Sequence, residues 1–157
     1  MDRTLKRDSG VSGPERVIRT VLADDDCLFR ASLRQLLAVP PTVIHDVYGV
    51  VVGVGFQVVG EAGTGEETVR VVESVDTDLL LLDLNMPRMS GLDAVREMTR
   101  PPGVTILLAG VITRPQLLSA IQLAVRGLVL KHAPTELLFE AITDVLAGRY
   151  WLHQMLV

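Results

Sequence analysis

Acidic residues stand directly behind apolar runs at two places in this chain, and a lysine stands behind a third. Asp24, Asp25 and Asp26 follow VIRTVLA, Asp83 follows LLLL, and Lys131 follows GLVL. A carboxylate held against hydrocarbon is unfavourable unless something pairs with it. Each residue alone has an ordinary reading. An acidic triplet before a helix is a cap with dipole-favourable charge, and a lysine after a short strand is a surface residue. Brought together, the acids would repel one another and call for a cation. A few carboxylates with the rest of the coordination left to water suit Mg²⁺. Lys131 would then offset anionic charge on the other side of Asp83, as a mobile point charge.

The elements that must position these residues follow from the apolar spacing. Residues 17–22 (VIRTVL) read as a strand, and 26–38 carry apolar residues at helical spacing. FQVVGEA (56–62) is a strand, and 64–75 a helix with Thr64 and Glu67 placed as a capping box. DLLLLD (78–83) lacks any polar alternation, as expected of a parallel strand covered on both faces. A helix over 90–100 has Ser90 and Asp93 at its cap, and 104–109 is the fourth strand. A helix over 114–125 begins at Pro115, and GLVLK (127–131) is the fifth strand. The last helix, 134–148, runs from Pro134 to Gly148. Five strands alternating with five helices predict an α/β fold, a five-stranded parallel sheet with helices on both faces. In such a sheet, ligands bind beyond the C-terminal strand ends, where Asp24, Asp25, Asp83 and Lys131 fall.

Composition narrows the function classes. The 157 residues are enough for one buried core, 48% hydrophobic but only 4% aromatic, so Val and Leu must build it. A net charge of −4 with no Lys/Arg run argues against a nucleic-acid-binding surface on this segment. A single cysteine, Cys27, excludes an internal disulfide, suits a reducing compartment and reads as a structural thiol. The uncharged stretches are too short and too broken by Gly and Pro to span a bilayer, and the polar N-terminus is unlike a signal peptide. A soluble cytoplasmic protein with no membrane partner is expected. His45, His132 and His153 are scattered, without metal-ligand spacing.

Three stretches carry a resemblance: VLADDDCLFRASLRQLL, LLLLDLNMPRMSGLDAV and GLVLKHAPTELLFEAI. They resemble the receiver domain of two-component response regulators, in the variety found in the NarL/FixJ (LuxR-type) family, over about residues 17 to 150. The resemblance implies a flavodoxin-like, CheY-like receiver, a doubly wound five-stranded parallel sheet of order 2-1-3-4-5, that is a regulatory module and not an enzyme. It implies Asp83 as phosphoacceptor, with Asp24 and Asp25 as the metal-binding acidic pair. Asn85 would bind Mg²⁺ through its backbone carbonyl, and Lys131 would contact the phosphoryl group. Asp26, at a place often filled by His in this subfamily, is expected to cap the first helix. The implied partner is a sensor histidine kinase. DNA would be bound only through a C-terminal helix-turn-helix domain absent from this chain, and residues 151–157 resemble the start of the linker to it.

The chain also departs from that pattern. The switch Ser/Thr of the family falls on Ala109, and its aromatic switch position falls on Leu128. The acceptor machinery is therefore complete while the usual readout is not. This opens a second reading, an atypical receiver regulated without phosphorylation by a small-molecule ligand or a protein partner. A Mg²⁺-dependent phosphatase would want a carboxylate where Asn85 stands. Residues 1–16 have almost no apolar content and are expected to form a disordered tail. Residues 39–55 form an insertion of strong strand propensity, expected to extend along the sheet edge beside the second strand. A homodimer contact or a gating flap is the alternative role for it.

Overall fold

In a computed structural model describing residues 16–152, five strands form one parallel sheet of order β2-β1-β3-β4-β5. They are β1 (Val17–Ala23), β2 (Gly55–Ala62), β3 (Leu79–Asp83), β4 (Val104–Ala109) and β5 (Gly127–Leu130). Six helices surround them: α1 (Cys27–Leu37), α2 (Pro41–Tyr48), α3 (Gly65–Ser74), α4 (Gly91–Glu97), α5 (Arg114–Gln122) and α6 (Thr135–Leu146). The order implied by the resemblance is the one observed. The tail expected at 1–16 lies outside the described residues except for Arg16, as do residues 153–157, His153 among them.

β3 is the centre of the sheet, and its four leucines are wholly buried. Leu79 and Leu81 join the apolar layer made with α1 and α6, while Leu80 and Leu82 join the layer beneath α3, α4 and α5. Side chains alternate across a strand, so an unbroken leucine run fills both layers at once. The register Leu82↔Ala23 and Asp83↔Leu108 brings the C-terminal ends of β1, β3 and β4 level.

The insertion is helical where extended structure was expected. Pro41 opens α2 and Gly49, at φ +72°, closes it. Proline at the first helical position and a left-handed glycine after the last one bracket the turn more strongly than valine content opposes it. Ile44 and Tyr48, four residues apart, face the α1/α6 layer, with the Tyr48 ring 5.8 Å from that of Phe139. Val50 and Val52 are buried beside them while Val51 is exposed, an alternation with no strand partner. The segment therefore thickens one layer of the core and adds no strand to the β2 edge.

Smaller differences lie at element ends. α4 stops at Glu97, three residues short of expectation, and the amide and hydroxyl of Thr99 donate to the Glu73 carboxylate at 2.6 and 2.8 Å. Cys27 is exposed on the first turn of α1, so it is not a packed structural thiol. Beyond α6, Trp151 returns to the outer edge of β5. Its amide donates to the Arg126 carbonyl, and its carbonyl accepts from the Leu128 amide at 3.1 Å. Among the described residues, no helix is long and apolar enough to cross a membrane.

Candidate functional site

The predicted residues meet at the C-terminal end of the sheet. Asp24 directly follows β1, and its amide donates to the Ala62 carbonyl of β2 at 3.0 Å. Its side chain is 1% exposed, with Oδ1 accepting from the Asp26 amide at 2.9 Å. Asp25 is exposed beside it. Asp26 caps α1 as expected, accepting from the Leu28 and Phe29 amides at 2.9 and 3.2 Å. It is thereby drawn away from the cluster. Asp83 ends β3 at 2% exposure, and its Oδ1 accepts from the Asn85 amide at 3.1 Å. The Lys131 ammonium lies 2.7 Å from Asp24 Oδ2 and 3.4 Å from Asp83 Oδ1.

Local sequence explains why the loop after β3 stays close. Gly91 opens α4 against the end of the strand: a Cβ there would stand 2.4 Å from the Asp83 carbonyl oxygen. The Gly91 amide donates to the Leu84 carbonyl at 2.9 Å, and Ser90 and Asp93 form the predicted reciprocal capping box. Thr64 also caps its helix as predicted, but Glu67 bonds the Gly63 amide and not the cap itself.

The electrostatics follow from burial. Removal from water pushes the Asp83 carboxyl up to about 6, and the neighbouring Asp24 charge adds to this. The Asn85 amide and the Lys131 ammonium act in the opposite direction. Burial alone would lower the Lys131 ammonium, but Asp24 and Asp83 outweigh it and hold the proton on more firmly than usual. One ligand oxygen each from Asp24, Asp25 and Asp83 falls within a 4.8 Å cluster. Among the described residues, buried Asp24 Oδ2 has no polar partner besides the Lys131 ammonium. A compact set of hard oxygens, one of them held only by the Lys131 ammonium, fits a small divalent cation such as Mg²⁺.

Two neighbours of the site were not read from the sequence. The Phe29 ring lies under the Lys131 ammonium, 4.6 Å from centroid to nitrogen. Arg30 donates from Nη1 to the Asp24 carbonyl and from Nε to Glu61 Oε1, the latter at 3.0 Å. Both occupy the first turns of α1, where helical spacing marks Phe29 as apolar but gives no sign of which neighbour either side chain meets.

Ala109 and Leu128 lie one step away, at the end of β4 and within β5. Both are wholly buried in the layer beneath α5, with Leu107, Leu117 and Ala120. Neither offers a polar side-chain atom. The Lys131 amide donates to the Ala109 carbonyl at 2.8 Å, so the two regions share backbone contact.

Comparison with known proteins agrees with this arrangement. The family described as response regulator receiver domain matches residues 20–143. The nitrate/nitrite response regulator NarL of Escherichia coli is 30% identical over 138 residues, covering 87% of this chain and 58% of its own length. NarP from the same organism is 35% identical, covering 79% of this chain and 53% of its own length. This chain thus spans little more than half the length of these relatives. A LuxR-family two-component response regulator from Aurantimonas superposes with a TM-score of 0.71 at 26% identity, over 86% of this chain and 89% of that one. The sheet order, the acidic cluster at its C-terminal end and these matches together place the chain in the response regulator receiver domain family, among the receivers of LuxR-type regulators.

Proposed function

We propose that this domain accepts a phosphoryl group on Asp83 from a sensor histidine kinase and thereby controls an attached helix-turn-helix domain that binds DNA. The observation that carries the reading is the meeting of Asp83 with Asp24, Asp25 and Lys131 at one strand-end pocket. An Asp83 oxygen attacks phosphorus as the bond to the donor imidazole breaks, and the imidazole recovers a proton from solvent. With its carboxyl near 6, Asp83 is mostly ionised at neutral pH and remains a nucleophile. Asp24, Asp25, Asp83 and the Asn85 carbonyl would hold Mg²⁺, which supplies charge stabilisation to the transferring oxygens. Lys131 would contact the same oxygens, and the Phe29 ring lies beneath its ammonium. This is a cytoplasmic role.

Incubation with acetyl phosphate and Mg²⁺, followed by intact mass, tests it. Addition of one phosphoryl group, absent in Asp83→Asn, is the expected result. No addition in the parent protein would remove the reading.

A second reading has its own observation. Ala109 and Leu128 leave the usual switch positions wholly apolar and buried. A receiver so built suits control by a ligand or protein partner that does not act through phosphorylation. Equal output-domain activity with and without the phosphoryl group would favour it.

A further inference from the structure

We propose that Arg30 is a positioning residue for the acidic loop, holding Asp24 and Asp25 in register for the cation from outside the pocket. The inference rests on the reading of this pocket as a cation-assisted phosphoacceptor site. Its basis is a chain of contacts that joins three elements. Arg30 projects from α1 and donates from Nη1 to the backbone carbonyl of Asp24. The same guanidinium donates from Nε to Glu61 Oε1 on β2 at 3.0 Å. The other Glu61 oxygen is taken by Arg34, one turn further along α1, with Nη2 at 2.6 Å and Nε at 2.8 Å.

The effect is to fix the peptide that carries both acids. Asp24 is anchored through its amide to the Ala62 carbonyl and through its carbonyl to Arg30. The amide bond fixes the peptide plane before Asp24 and the Arg30 bond fixes the plane between Asp24 and Asp25, so the backbone is held on both sides of the Asp24 Cα. The exposed Asp25 carboxylate, without a hydrogen bond or ion pair to another side chain among the described residues, takes its direction from the second of these planes. A planar fork can hold a carbonyl and a carboxylate at once, which an ammonium on a flexible stem cannot do with the same rigidity. Outer contacts of this kind orient the groups that touch a metal, and their removal costs about 10–100-fold in metal affinity.

Charge points the same way. Arg30, Arg34 and Glu61 together carry one net positive charge beside three carboxylates, which lowers their mutual repulsion. Arg34 supplies half of that charge balance but does not touch Asp24, so it separates electrostatics from positioning. Gly63 closes the arrangement from the β2–α3 side, where a Cβ would stand 3.4 Å from Arg30 Nη1.

The test is a Mg²⁺ titration of the intact chain followed by amide NMR shifts at Asp25, Asp83 and Asn85, with no phosphodonor present. Arg30→Ala is expected to weaken Mg²⁺ binding by roughly ten-fold. Arg30→Lys should recover part of the loss, and Arg34→Ala should stay within about two-fold of the parent. In acetyl phosphate labelling, Arg30→Ala should raise the half-saturating Mg²⁺ concentration while leaving the rate at saturating Mg²⁺ within a few-fold. A purely structural role would lower thermal stability without this split. Should Arg30→Ala fail to fold, Arg30→Lys carries the comparison, and parent-like affinity in it would overturn the proposal. Equal affinity in the parent and Arg30→Ala would overturn it too, leaving the phosphoacceptor reading intact. A parent that shows no Mg²⁺ shifts would remove both.

Discussion

The ends of β1 and β3 and the first residue beyond β5 carry charge into a pocket whose inner carboxylates are buried, whereas the end of β4 and the middle of β5 carry only hydrocarbon. Asp24 and Asp83 are almost without solvent contact and depend on Lys131 and backbone amides for their polar partners. Ala109 and Leu128 are as deeply buried, yet nothing near them calls for a hydrogen bond. Burial has opposite consequences in the two places. It makes the first sensitive to any added charge, because a buried carboxylate is costly unless compensated. It makes the second indifferent, because a side chain without polar atoms has the same partners before and after. Under the proposed function, the first place receives the phosphoryl group and the second has little with which to report its arrival.

Removing the acceptor breaks the comparison most completely. Asp83→Asn should abolish phosphoryl addition from acetyl phosphate, read by intact mass, and Asp25→Asn should remove the Mg²⁺-dependent shifts. Retained labelling in the first variant would place the acceptor elsewhere. Next in size is Gly91→Ala. The added carbon would collide with the Asp83 carbonyl, which is backbone and cannot turn aside. Overpacking of this kind costs about 1–3 kcal/mol, measurable by urea unfolding, and labelling should slow with it. Parent-like stability would mean that the strand end is less constrained than the pocket requires.

The pH dependence sharpens the same contrast. Burial raises the Asp83 carboxyl from 3.8 to about 6, so ionising it opposes folding. A raised value gives stability that is full below the unfolded pKa, near 4, and lost as the pH rises through about 6. In Mg²⁺-free buffer, Asp83→Asn should therefore exceed the parent in stability at pH 8 by about 1–2 kcal/mol, after allowing for solvent screening at the pocket mouth. The advantage should shrink towards zero near pH 4. An advantage that grew on acidification would reverse the sign and mean that the ion pairs with Lys131 outweigh burial. Mg²⁺ should narrow the gap at pH 8, because it favours the ionised parent.

Both regions were legible in the sequence to different depths. Asp24, Asp83 and Lys131 each stand at the end of an apolar run, and a parallel sheet brings such ends together whatever the details of packing. Ala109 and Leu128 could be placed by carrying the resembled family's switch positions onto those same runs, counting back from Lys131. Arg30 and Phe29 could not, because which neighbour a helical side chain meets depends on how α1 lies across the sheet. The insertion misled for another reason. Its valines favour a strand locally, but Pro41 and Gly49 bracket eight residues whose Ile44 and Tyr48 find a core to enter. The return of Trp151 to β5 rests on a few backbone bonds made by one residue, too short a stretch to leave a periodic signal.

The smallest effect expected is the conformational response itself. A phosphoryl group brings roughly −1.5 to −2 charge. It can move a two-state element only through contacts that differ between the states. Ala109 has no hydroxyl to donate, and a hydrogen bond to a charged group is worth about 1.5–3 kcal/mol. Leu128 is already wholly enclosed, and its amide is tied to the Trp151 carbonyl at 3.1 Å. What remains to carry a signal is Lys131, whose amide holds the Ala109 carbonyl, together with any amide of the Ala109–Gly110 turn that reaches the new oxygens. Beryllium fluoride with Mg²⁺, as a phosphoryl mimic, should therefore shift the amides around Asp83 and Lys131 strongly and those of α5 and β5 only weakly. Ala109→Ser should enlarge the α5 response by restoring the donor, since a hydroxyl there could reach the phosphoryl oxygens where a methyl cannot. Large α5 and β5 changes in the parent protein would show that a route other than the Ala109 side chain carries the signal. An Ala109→Ser variant with no greater response than the parent would show that the missing hydroxyl is not what limits it.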